Sequence, residues 1–215
     1  MKMGLQIGEI VPRREVNFDE LRGKVVAVDA FNAIYQFLSS VKQADGTPLM
    51  DSKRNVTSHL SGLFYRNVSL LADGIKLIYV FDGEYHELKG RTQENRGNAK
   101  AEAREKYDKA RDEGDIEGMR RYSSGFMKLT SEMKDESKEL LEAMGIAIVQ
   151  APGEGEMQCA KLVEDGGAWA VASQDYDALV VGGVRLIQNL TLARKRKTVS
   201  GVVEISPEII SYTDV

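Results

Sequence analysis

Cysteine is almost absent: Cys159 is the one thiol in 215 residues. A lone cysteine excludes an internal disulfide and fits a reducing interior. Histidine is nearly as scarce. His59 and His86 lie far apart in sequence, whereas a zinc site draws on clustered Cys and His. No apolar run reaches the roughly 18 residues that a membrane-spanning helix needs. The opening MKMGLQIGEIVPRREV lacks the apolar stretch of a signal peptide. Positive charge is not in excess either, since the formal net charge is −4. Taken as an average, that argues weakly against a nucleic-acid partner. What remains is ordinary for a folded chain, with 42% hydrophobic and 29% charged residues. The length suffices for one domain with a sizeable core.

Against that background the acidic residues are arranged in an ordered way. Asp29 ends VVAVD, Asp82 follows LIYVF, Glu154 and Glu156 sit in APGEGEMQCA, and Asp175 and Asp177 sit in VASQDYDAL. Each cluster follows an apolar run that reads as a strand. Carboxylates at strand ends are poorly placed for core packing, but they stand where open α/β sheets bind ligands. Six of them together would repel one another unless cations neutralised them. Hard oxygen donors suit Mg²⁺ or Mn²⁺, and such sites serve phosphoryl chemistry. If metal neutralises these six, the rest of the surface is slightly basic. Each residue also has a plainer reading. Asp29 suits a helix N-cap, Asp-Gly at Asp82 a turn, Glu154 and Glu156 a helix dipole, and Asp175 and Asp177 a solvated loop. The glycines of Pro-Gly-Glu-Gly-Glu would let backbone approach a ligand.

Strands are expected at Lys24–Val28, Ile75–Phe81, Ile146–Gln150, Ala168–Ala172 and Val184–Gln188, and helices at Ala30–Val41, Val56–Leu71 and Thr130–Met144. The apolar stripe of Val56–Leu71 reads through Leu60, Leu63, Phe64, Val68 and Leu71. Alternating strands and helices predict an α/β fold with a doubly wound, mostly parallel central sheet flanked by helices. From His86 to Arg121 the composition changes, with ten Lys/Arg, nine Asp/Glu and few large apolar residues. This stretch reads as a helical insertion, polar all round and broken at Gly114 and Gly118. Lys89 and Arg96, seven residues apart, share one helix face and would present two cations above the carboxylates. Tyr35 reads either as a packing aromatic or as a base-stacking platform. RKRK at 194–197 reads as a basic hairpin turn or a phosphate contact. Cys159 reads as buried and inert. His59 reads as a surface or capping residue.

Taken in order, VDAFNAIYQFL, TSHLSGLFYR, YVFDGEYHELK, MGIAIVQAPGEGEMQCA and VASQDYDAL resemble the N-terminal nuclease core of the archaeal and eukaryal flap endonucleases, structure-specific 5′ nucleases with a PIN-like core. The resemblance covers essentially all of the chain. It implies that Asp29, Asp82, Glu154 and Glu156 hold mainly one Mg²⁺, and Asp175 and Asp177 a second, with Mn²⁺ able to substitute. It implies that Lys89 and Arg96 contact the scissile phosphate, that Tyr35 stacks on the unpaired 5′ nucleotide, and that Arg66 lies near the duplex with the 3′ flap. Residues 86–128 would form the helical arch of a single core domain, 1–215. The implied activity is 5′ flap endonuclease and 5′–3′ exonuclease cleavage of DNA in replication and repair. The implied setting is an archaeal cytoplasm or nucleoid, or a eukaryotic nucleus, with no membrane and a monomeric chain.

Two departures bear on these expectations. The family begins Met-Gly, here matched by Met3-Gly4, so either the true start is Met3 or two extra residues crowd the site. The family also continues beyond the equivalent of Val215 into a duplex-gripping segment, a further carboxylate and a tail that binds the sliding clamp. A core truncated at its C-terminus is therefore expected. Two rival readings stand beside this one: a catalytically impaired DNA-binding fragment, and a Mg-dependent phosphatase on a similar sheet.

Overall fold

Runs of Val, Ile and Ala that are nearly continuous suit strands buried on both faces. All five expected runs form strands, of which Ala147–Gln150, at the sheet edge, is the one that is not buried. In the computed structural model, which describes residues 11–43, 46–53, 55–83, 102–103, 105–110, 112–123, 129–182, 185–192, 194–198 and 201–211, they are β2 (Val25–Asp29), β3 (Lys76–Phe81), β4 (Ala147–Gln150), β5 (Ala170–Ala172) and β6 (Arg185–Gln188). All pair in parallel. Four strands lie outside that expectation: β1 (Arg14–Glu15), β7 (Lys195–Thr198), β8 (Gly201–Glu204) and β9 (Glu208–Ser211). β7 and β8 form a separate antiparallel pair, while β9 joins β6 antiparallel and carries β1 at the edge.

The strand order β1-β9-β6-β5-β2-β3-β4 shows how the chain winds. It runs outward from β2 through β3 to β4, then returns to the other side of β2 for β5 and β6. The winding therefore reverses between β2 and β5, and at such a reversal an open sheet leaves a crevice beyond its strand ends. All of this belongs to one compact unit, formed by residues 1–33, 65–84 and 141–215. Its core includes Ala27, Val80, Val171, Leu186 and Ile210 from the strands, packed with Cys159, Ala160 and Leu179.

The helices are α1 (Ala30–Ser40), α2 (Ser58–Ala72), α3 (Ile116–Ser123), α4 (Ser131–Ala143), α5 (Gly155–Glu164) and α6 (Asp177–Gly182). On α2 the sequence pattern misleads. The buried residues are Ser58, His59, Gly62, Leu63, Asn67 and Leu70, whereas Phe64, Val68 and Leu71 are exposed. The apolar stripe is thus rotated from the face that packs. Asn67 is buried because it accepts a hydrogen bond from the Tyr79 hydroxyl at 2.9 Å. His59 is fully buried against Glu136, 3.1 Å from its Nε2, and not at the surface.

The second unit comprises residues 34–64 and 85–140. The stretch read as polar all round has a small core of its own among the described residues: Tyr107, Ala110 and Met119, with Tyr122 packed against them. Residues 105–110 and 112 are helical, and Gly114, with φ at +70°, breaks that helix before α3. Gly118 does not. It lies within α3, where its N–H donates to Asp115 Oδ1 at 2.9 Å, and an added Cβ would meet the same carboxylate at 2.3 Å. Residues 84–101, including Lys89 and Arg96, fall outside the described residues.

Candidate metal centre

Asp29 is the last residue of β2 and only 6% exposed. Its Oδ1 accepts the N–H of Asn32 at 3.1 Å, so it also caps the start of α1. Capping and ligation use different lone pairs and do not exclude each other. Burial pushes the Asp29 carboxyl up to about 7, against that N–H, and the charges of Asp82 and Asp175 add to the rise. Glu156, in the first turn of α5, is pushed up to about 8, first by burial and then by Asp29, Asp175 and Asp177. Asp175 is raised by burial and then by Asp177. Five carboxylates, at the ends of β2 and β3, the start of α5, the turn after β5 and the start of α6, therefore share one field, and for Asp29, Glu156 and Asp175 burial is the largest cause.

Glycine makes the junction between β3 and α5 possible. The Gly155 N–H donates to Asp82 Oδ1 at 2.7 Å, and a Cβ on Gly155 would sit 2.7 Å from that oxygen. What Gly155 admits is thus the Asp82 carboxylate. Gly83 packs as tightly against the β4–α5 turn, where a Cβ would meet the Ala151 carbonyl oxygen at 2.3 Å. Glu154 occupies the N-cap position of α5, and its side chain makes no capping hydrogen bond.

Two positioning residues escaped the sequence reading. Asn32 Nδ2 donates to Asp175 Oδ2 at 3.1 Å, and its Oδ1 accepts the Gln174 N–H at 3.3 Å. Ser173 Oγ donates to Glu156 Oε1 at 3.1 Å and accepts the Asp175 N–H at 3.2 Å. Their spacing was the available signal: Asn32 lies one helical turn beyond Asp29, and Ser173 two residues before Asp175. Cys159, fully buried, feels the same charges. Burial and then Asp29, Glu156 and Asp82 push its thiol up, which leaves it an unreactive neighbour.

The donor set fits a hard divalent cation. Among the described residues no group of three or more His, Cys, Asp or Glu is arranged, as it stands, to hold an ion. Mg²⁺ does not need such a cage. It keeps several waters and is commonly held through one or two carboxylates plus substrate phosphate. Carboxyls held partly protonated by burial and mutual repulsion are the groups a cation would most readily discharge.

The other candidates fall elsewhere. Tyr35 lies in the middle of α1, 36% exposed. Arg66 lies on α2, half-buried, and burial and then the Arg194 charge lower its pKa. Of the RKRK run, Arg194 stacks 3.8 Å over the Phe18 ring and pairs with Asp73, and Lys195 to Lys197 belong to β7, so the run is mostly strand and not turn.

Known proteins match the sequence along nearly the whole chain. The family model of the XPG N-terminal domain matches residues 4–103, and that of the XPG I-region matches residues 145–215. Flap endonuclease 1 of Pyrococcus furiosus is 51% identical over 215 residues, which is 99% of this chain and 63% of that protein. Among solved structures, flap endonuclease-1 from Methanococcus jannaschii superposes with a TM-score of 0.72 at 39% identity, covering 99% of this chain and 64% of that one. The catalytic core of Rad2 in complex with DNA substrate gives a TM-score of 0.65 at 29% identity, covering 94% and 52%. The two XPG regions, which together cover most of the chain, and these relatives place the chain in the flap endonuclease family. It spans somewhat under two thirds of the length of the curated relatives it matches.

Proposed function

We propose that the chain is the catalytic core of a structure-specific 5′ nuclease that hydrolyses DNA phosphodiesters at the base of a 5′ flap or stepwise from a 5′ end. The observation that carries this reading is the shared field of Asp29, Asp82, Glu156, Asp175 and Asp177 at the carboxyl ends of parallel strands. Asp29, Asp82, Glu154 and Glu156 would hold one Mg²⁺, and Asp175 and Asp177 a second, with Mn²⁺ able to replace either. Bound there, two such ions supply Lewis-acid activation of water and stabilisation of the leaving oxygen. Asn32 and Ser173 orient Asp175 and Glu156, so each ligand oxygen is aimed before substrate arrives. Lys89 and Arg96 would offset charge developing on the scissile phosphate. Tyr35 offers an exposed ring on which an unpaired nucleotide can stack, and Arg66 a cation for duplex phosphate. Recognition in this reading is of shape and phosphates, not of base sequence.

A substrate series tests it. With Mg²⁺, a labelled double-flap DNA should be cut near the flap junction, and p-nitrophenyl phosphate should not be turned over. Phosphatase activity without DNA cleavage would transfer the site to a phosphomonoesterase. Flap binding in Ca²⁺ with no cleavage in Mg²⁺ would make the chain a binding fragment.

A further inference from the structure

The opposite edge of the same sheet carries a second group of side chains. Lys24 precedes β2, Trp169 precedes β5 and Arg185 opens β6, and these strands are parallel neighbours, so the three residues stand together at the amino-terminal edge. The length of β2 puts them roughly 15 Å from the carboxylates. They line a cleft of about 390 Å³ whose remaining walls are small or apolar, with Val25, Val163 and Ala168 beside Gly166 and Gly167.

Two features make this more than a solvated basic edge. First, the guanidinium of Arg185 is held in place. Its Cζ lies 4.9 Å from the centre of the Trp169 ring, and one of its nitrogens donates to the Trp169 carbonyl at 3.1 Å. A fork fixed by stacking and one hydrogen bond keeps its remaining donors oriented at little further entropic cost. Second, Lys24 Nζ lies 5.2 Å from the centre of the same ring. Two like charges thus share one indole, and among the described residues neither has a carboxylate partner and no carboxylate lines the cleft.

We propose that this cleft binds a phosphate monoester. With a second pKa near 6, such a group is largely a dianion at neutral pH and matches both cations, whereas a single carboxylate would leave one charge unmatched. The volume lies toward the lower end of the roughly 300–1,000 Å³ of small-ligand sites, and the apolar walls leave room for a compact organic body such as a nucleoside. The phosphate could come from a free nucleotide or from the 5′-phosphorylated end of a strand. The site is separate from the carboxylates and does not depend on the nuclease reading.

Trp169 is the chain's one tryptophan, so its emission reports on this cleft directly. The 215-residue chain is titrated in EDTA, which keeps phosphate from reaching the carboxylates through metal. The probes are a nucleoside 5′-monophosphate, the parent nucleoside, a 5′-phosphorylated oligonucleotide and succinate. A saturable change with the phosphorylated probes and none with the nucleoside is expected. Binding should weaken by about tenfold in Lys24→Ala and in Arg185→Gln, fall less in Arg185→Lys, and stay unchanged in Asp175→Asn, with each variant's thermal melt as the folding control. Saturation by the mononucleotide identifies a free nucleotide as the ligand; saturation by the oligonucleotide alone identifies a strand end. No saturable change with either, an equal response to succinate, or undiminished binding in folded Lys24→Ala and Arg185→Gln would overturn the proposal.

Discussion

Asp29 and Glu156 carry a heavy electrostatic burden, because burial pushes them up to about 7 and about 8, out of the usual carboxylate range. A carboxyl whose folded pKa is raised stabilises the fold fully below its unfolded pKa, and that contribution is lost as pH climbs to the folded value. Without divalent metal, thermal stability should therefore fall between about pH 4 and pH 8, at about 2–4 °C for each kcal/mol lost in a chain of this size. Mg²⁺ should restore more stability at pH 8 than at pH 6, since it binds the deprotonated groups. A melt that is flat across this range in EDTA would contradict the burial of these groups. Asp29→Asn separates the two roles of the residue. The amide oxygen can still accept the Asn32 N–H, so the variant should melt higher than the parent at pH 8 in EDTA while losing metal-dependent cleavage. The residues that aim the ligands make a milder case. Asn32→Ala and Ser173→Ala should each lower Mg²⁺ affinity or cleavage by about 10–100-fold, as outer-shell losses commonly do, with little change in flap binding measured in Ca²⁺. A loss confined to DNA binding would assign them to the substrate instead.

Backbone approach decides the outcome at the element scale. The β3–α5 junction tolerates no Cβ at Gly83, where the Ala151 carbonyl would be 2.3 Å away. Gly83→Ala should therefore destabilise the fold by about 2–4 kcal/mol, readable in urea unfolding. At Gly155 the obstacle is the Asp82 side chain, which can move. Gly155→Ala should cost less stability and more activity; the reverse order would mean that Asp82 is not held for function. These junctions also mark how far the sequence could be read. Strands advertise themselves as continuous apolar runs, so β2 to β6 were legible, and with them the strand ends near which the acidic residues lie. β1 has two residues and β9 pairs antiparallel at the far side, where local pattern carries no signal of a partner nearly two hundred residues away. The face of α2 was misread because His59 and Asn67 are buried through hydrogen bonds to Glu136 and Tyr79, which no hydropathy pattern contains. Asn32 and Ser173 were missed for the same reason: their role exists only once β2 and β5 lie side by side.

On the scale of the whole molecule, the sheet is a device for gathering charge. Reversal of the winding between β2 and β5 brings Asp29 and Asp175 together from residues far apart in sequence, and the fold accepts the repulsion that burial then magnifies. Such a cost is common where a site is built for a ligand that removes it. The chain carries both XPG regions, and its fold is shared with a flap endonuclease of known structure. The measurement that bears most directly on the central claim is single-turnover cleavage of a labelled double-flap DNA by this 215-residue chain and by Asp175→Ala, in Mg²⁺ and in Ca²⁺. A cut near the flap junction by the parent chain in Mg²⁺ only, and none by the folded variant, is the expected result. Equal cleavage by the variant, or cleavage that persists in EDTA, would contradict a metal centre built from these carboxylates.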